Sequence, residues 1–194
     1  MTGIRDEGRV LVAAGAGDLA GGLAAALRER YAVRVALDPS AIPPGVADTD
    51  VVLVHANTLD ASLRDVLTVL EGIERERPLQ VCVVSRDDVE GIETVRTTLD
   101  SPVATDLLYE TVERLLSRAD YDAQLRRYFA VAARVAVLET RATEDDPTDD
   151  EYQQATTRAD QIRASLEAAS RTSPTTTCSR SPHRPSTASG RARR

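Results

Sequence analysis

Lysine is missing altogether: all 24 basic side chains of the 194-residue chain are arginine. That excludes chemistry built on a lysine, whether a Schiff base, a P-loop, or an ammonium group that contacts a phosphoryl oxygen. Tryptophan is absent too, and there is a single Phe and a single Met. The two cysteines, Cys82 and Cys178, fit neither a zinc pattern nor a disulfide framework. No apolar run approaches the ~20 residues needed to cross a bilayer, and the N-terminus does not read as a signal peptide. The expectation is a soluble cytoplasmic protein with no membrane partner, no cofactor and no metal.

The net charge of −7 conceals an asymmetry. Residues 171–194 hold six arginines and no acid, which leaves residues 1–170 with a balance of −13. An acidic, lysine-free body suits a salt-rich cytoplasm. Screening makes self-repulsion cheap there, while surface carboxylates keep the protein dissolved. A halophilic source is expected; a GC-rich genome that writes Arg for Lys is the plainer alternative.

From Arg9 to Leu116 the pattern alternates between short apolar runs and helical periods. Strands are expected at Arg9–Ala14, Tyr31–Leu37, Asp50–His55, Leu79–Val84 and near Thr98–Ser101. The run Asp50-Val-Val-Leu-Val-His55 is the most apolar and suits the middle of a parallel sheet. Helices are expected at Asp18–Arg30, Leu59–Glu76, Asp88–Thr97 (weaker) and Asp106–Arg118, with apolar residues every three or four positions. Ser40–Gly45, which contains Pro43 and Pro44, reads as a loop or a very short helix. The sum is a five-stranded, doubly wound parallel α/β domain over residues 8–117.

Residues 118–170 change period. Tyr121, Leu125, Tyr128, Ala132 and Val135 step by four and three, and so do Tyr152, Ala155, Ala159, Ile162, Leu166 and Ala169. Between them lies the acidic break TEDDPTDD. Thr148 with Glu151 forms a capping box, which predicts where the second helix starts. Two helices of ~20 residues in a hairpin are expected, with the first free to continue the preceding helix without a linker. Neither has a wide apolar face, so a homodimer or coiled coil through this segment is an open option. Residues 171–194, rich in Arg, Ser, Thr and Pro, are expected to be a disordered tail. The abrupt change of composition there also admits an inactive remnant of a frame-damaged gene.

The segment from Arg118-Ala-Asp-Tyr-Asp to Ala-Val-Leu-Glu139 resembles the start of the HalX domain of haloarchaeal response regulators, a HoxA-like group of transcriptional regulators. Glu151-Tyr-Gln to Leu166 resembles its second helix. In that family HalX follows a phospho-receiver domain, which residues 9–117 resemble in length and strand order. The resemblance implies a function in two-component signalling, phosphorelay or transcription control. A receiver holds Mg²⁺ on two acids after strand one and phosphorylates an Asp ending strand three. A Ser or Thr ending strand four and a Lys before a Pro contact the phosphoryl group. Here Ala14 and Gly15 stand at the acidic pair, His55 at the acceptor, and Ser101, followed by Pro102, at the lysine. Only Ser85 fits its role, and Asp18 falls too late. The resemblance therefore implies a degenerate receiver with no phosphotransfer and no catalytic residue. His55 reads as an ordinary half-buried histidine at the sheet edge. Ser101-Pro102 is a candidate cis bond, as at the equivalent place in receivers.

A rival reading uses the same loop. Gly15-Ala-Gly17-Asp-Leu-Ala20 fits G-x-G-x-x-G/A between a strand and a helix, and Asp38 is spaced to hold a ribose. That reading makes Gly15, Gly17 and Asp38 a nucleotide or dinucleotide sensor site. Nucleic acid is not supported by charge: residues 118–170 carry seven Arg and eleven acids. The expected function is contact with protein partners through the last strand and its flanking helices, around Asp88 to Leu116.

Overall fold

The computed structural model describes residues 8–15, 18–56, 63–85, 97–142 and 149–172. Strands β1 (Arg9–Ala13), β2 (Ala32–Ala36), β3 (Val51–His55), β4 (Gln80–Ser85) and β5 (Thr98–Asp100) form one sheet in the order β2-β1-β3-β4-β5. Every pairing is parallel. Helices α1 (Asp18–Arg28), α2 (Ile42–Val46) and α3 (Leu63–Glu76) are joined by a long α4 (Thr105–Ala142) and by α5 (Asp149–Thr172). The expected five-stranded α/β fold followed by two helices is what the chain adopts.

The strands are apolar on both sides because both sides are covered. Val10, Val12, Val51, Leu53, Cys82 and Val84 pack with Leu27 of α1 and with Leu108, Val112 and Leu115 of α4. Their alternates Leu11, Val52 and Val54 pack with Ile42, Val46, Val66 and Leu70 of α2 and α3. All five residues of β3 are buried, as a near-continuous apolar run in a parallel sheet requires. Burial pushes the Cys82 thiol up to about 12.

Of the two readings of Ser40–Gly45, the very short helix holds, preceded by a second short turn. Asp38 caps a 3₁₀ turn at Pro39–Ala41, which leads directly into α2, with proline early in each. The Arg77 guanidinium then donates to the carbonyls of Val46, Ala47 and Thr49 and so satisfies the end of α2.

The helix expected from Asp106 runs straight into the next one without a linker, as the sequence allowed. It runs on as α4 for 38 residues. Residues 103–146 contain neither Gly nor Pro, so nothing in the chain breaks it. Past the sheet, α4 is tied back to the α/β body through Gln80 and Arg126. Gln80 donates to Asp122 at 2.9 Å, and Arg126 donates to the Glu74 carbonyl at 2.8 Å. Helix α5 then packs along α4, with Tyr152 donating to Glu139 at 2.9 Å and Arg134 paired with Glu151. The weaker helix expected at Asp88–Thr97 lies outside the described residues except for Thr97, which leads into β5. Thr148 of the capping box and residues 173–194 also lie outside them; α5 itself begins at Asp149 and extends through Thr172. Among the described residues no helix is long and apolar enough to cross a membrane.

Candidate functional site

An open parallel sheet offers its ligand crevice beyond the carboxyl ends of the strands, where the strand order reverses. Here that reversal lies between β1 and β3. Ala14 follows β1, and Ala14 and Gly15 are both buried. His55 ends β3 directly opposite Val84, and Ser85 ends β4 opposite Asp100. The Ser101 amide donates to the Ser85 carbonyl at 2.8 Å, which ties the loop after β5 to the end of β4. The Ser101-Pro102 bond is cis. Topology thus places Ala14, Gly15, His55, Ser85 and Ser101 at one end of the sheet.

His55 differs from expectation in one respect. It is 1% exposed, buried rather than half-buried, because β3 is covered on both sides. It forms part of the wall of a cavity of about 200 Å³ between α1 and α4. Gly22, Leu23 and Ala26 of α1 form one side of it, and Val84, Pro102, Val103 and Leu108 add further apolar surface. His55, Ser101 and Thr105 are its polar lining residues, and among the described residues no carboxylate or guanidinium lines it. Sequence reasoning missed Gly22, Ala26 and Thr105, whose only signal was helical spacing.

Mg²⁺, the ion a receiver uses, does not fit the donor set that the described residues offer here. It requires hard oxygen ligands, normally at least one carboxylate. Ala14 and Gly15 have none to give, and His55 presents nitrogen. Among the described residues, no group of three His, Cys, Asp or Glu side chains is placed to hold a metal ion.

Asp38 has a local occupation. Its carboxylate accepts from the Ser40 amide at 2.9 Å and the Ala41 amide at 3.2 Å, and from the Ser40 hydroxyl. The hydroxyl bond, followed by the amide bonds, holds the carboxyl below its ordinary value against the opposing effect of desolvation. Of its partners in the nucleotide reading, Gly15 is buried behind β1 and Gly17 lies outside the described residues.

One face of the crevice is fastened by a cluster the sequence did not reveal. The Tyr109 hydroxyl of α4 donates to the Ala26 carbonyl of α1 at 2.8 Å and to Glu29 at 3.1 Å. Arg30 lies 4.0 Å over the Tyr109 ring. Desolvation, then the bond to Glu29 and its charge, raises the Tyr109 phenol above its ordinary value.

Residues 117–176 match the HalX domain family. That match lies behind a receiver-type fold. The receiver half is similar to a CheY-like response regulator receiver domain from Methylobacillus flagellatus, with a TM-score of 0.51 at 14% identity over 57% of this chain and 99% of that one. The signal receiver domain of a Vibrio parahaemolyticus repressor protein gives 0.53 at 18% identity, over 60% and 95% of the two chains. At such identities the likeness concerns fold alone. A Haloferax volcanii protein named for transcriptional regulation is 32% identical over 149 residues, 74% of this chain and 25% of the relative. This chain therefore spans about a quarter of that relative's length. The HalX match begins at residue 117, about a third of the way along α4, so it starts inside a helix whose first turns cover the sheet.

Proposed function

We propose that this HalX-domain protein is a phosphorylation-independent response-regulator-like protein that works by contact with protein partners in a transcriptional or signalling circuit, without enzymatic activity. One observation carries the reading: the residue at the acceptor position is His55, buried at the end of β3, and its neighbours at the strand-one loop are Ala14 and Gly15. An acyl phosphate needs a carboxylate, and its transfer needs a metal that screens the incoming charge. The division is a degenerate receiver over residues 8–117, the HalX hairpin over 118–170 and an Arg-rich tail after it. The acidic, lysine-free body fits a salt-rich archaeal cytoplasm.

Partner contact falls on β5 and the first turns of α4, where Leu107 is 47% exposed. A second copy of the chain is a further partner: Phe129 and Val137 stand 62% and 51% exposed on α4, on a surface α5 leaves uncovered. DNA contact through the HalX hairpin has no support from its charge.

The test is incubation of the full chain with acetyl phosphate and Mg²⁺ in molar KCl, followed by intact mass. The mass stays unchanged. An addition of about 80 Da, one phosphoryl group, contradicts phosphorylation independence.

A further inference from the structure

Helix α1 contains Gly21 and Gly22 in its second turn. Apart from proline, glycine is the costliest residue at such a position. In folded helices it is usually excused by close packing, but a Cβ placed on Gly22 meets nothing within 4 Å. No neighbour therefore forbids a side chain there. What Gly22 does border is the cavity walled by His55, Ser101 and Thr105, and Gly22 itself is exposed, so it stands at the mouth. The missing side chain leaves an opening between solvent and the end of the sheet.

We propose that this cavity is a binding site for a small, uncharged, largely apolar molecule of about one ring, carrying a single hydrogen-bonding group. The proposal rests on the reading of the crevice as a receiver site that has lost its phosphoryl chemistry, and it gives that crevice a signal to detect. Size sets the upper limit. The volume is about 200 Å³, and an apolar cavity of about 150 Å³ already accommodates benzene. Charge is set by the lining: with no carboxylate or guanidinium among the described residues of the wall, a charged ligand would shed its hydration without a counter-ion from them in return. Ser101 and Thr105 are the hydroxyl-bearing residues of the lining, the candidates for one polar contact, and Leu23, Ala26, Val84 and Leu108 are its apolar residues. Binding would reach both domains, because Thr105 and Leu108 belong to the helix that continues into HalX.

Phenol is the probe, titrated into the full chain with backbone amides followed by NMR, with benzoate and inorganic phosphate as charged comparisons. Phenol is expected to bind with millimolar affinity, in keeping with its few atoms, and to shift the amides of Gly22, Ser101 and Thr105. Benzoate and phosphate leave them unmoved. Gly22→Leu, which plugs the mouth, is expected to weaken phenol at least tenfold while the thermal midpoint holds or rises. Gly22→Ala, the milder change, should do so several-fold. The proposal is overturned if phenol leaves those amides still, if phosphate moves them instead, or if Gly22→Leu binds phenol as the parent does. None of these results bears on the acetyl phosphate mass, so the cavity and the loss of phosphotransfer fail or stand separately.

Discussion

Ser117→Pro is expected to cost about 3 kcal/mol or more of stability. Position 117 lies inside α4, where the HalX match begins. A proline there removes the amide that bonds the Glu113 carbonyl, and its ring collides with that same carbonyl. It also deletes the Ser117 hydroxyl, which donates to Glu113 at 2.9 Å. The neighbours Leu115 and Ala119 are buried, so the helix cannot simply swing outward without exposing them. A loss of this size is a large share of the roughly 5–15 kcal/mol that holds an ordinary domain together. In a chain of this length it corresponds to a fall of about 6–12 °C in the thermal midpoint. The contacts of Asp122 with Gln80 and of Arg126 with the end of α3 should be lost with it, since both depend on the register of α4 after the break. Small-angle scattering of the variant is expected to show a longer or more variable particle. An unchanged midpoint with unchanged scattering would mean that α4 does not connect the two domains as one rigid rod.

His55→Asp is expected to destabilise the protein without restoring phosphorylation. The substitution rebuilds the acceptor carboxyl of a receiver at a place that is 1% exposed. The sheet end offers it no metal ligand from Ala14 or Gly15 and no lysine from Ser101. Burial disfavours the ionised form, so the introduced carboxyl should titrate about 2–3 units above its unfolded value near 4. Between those two values the native state binds more protons than the unfolded state. Stability therefore falls as pH rises through that window and stays low above it. The penalty at neutral pH is about 3–4 kcal/mol, and it is largely absent in acid below about pH 4. Urea unfolding at neutral pH and again in acid reads the difference, with the parent protein as the baseline at each pH. A variant as stable as its parent at neutral pH, and labelled by acetyl phosphate when Mg²⁺ is added, would show that the crevice supplies a cation site from residues given other roles here.

Much of the α/β half was legible because a buried parallel sheet leaves little freedom in composition. Val51-Val-Leu-Val-His55 can be satisfied only where both faces are covered, and both clusters of the core meet on it. The continuity of α4 was legible in principle, since no Gly or Pro interrupts residues 103–146, but a domain boundary has no signal of its own inside a helix. Sequence placed His55 at the end of its strand; its degree of burial depended on α1 and α4, which no local pattern reports. The cavity was illegible for the same reason. Its walls come from α1, β3, β4, the loop after β5 and the start of α4, brought together from residues 22 to 108 by topology alone. Asp38 shows the opposite limit: its spacing from the glycine loop suited a ribose contact, while the Pro-Ser-Ala that follows it gave its carboxylate a cap to make.

A manganese titration of the full chain, in about molar KCl to screen the acidic surface, tests the electrostatic basis of the account most directly. With Ala14, Gly15 and His55 at the sheet end, the paramagnetic ion is expected to leave the amides there no broader than amides elsewhere on the molecule. Saturable broadening confined to Ala14, Gly15 and His55 at submillimolar manganese would contradict it, and with it the claim that this receiver fold has given up phosphoryl chemistry.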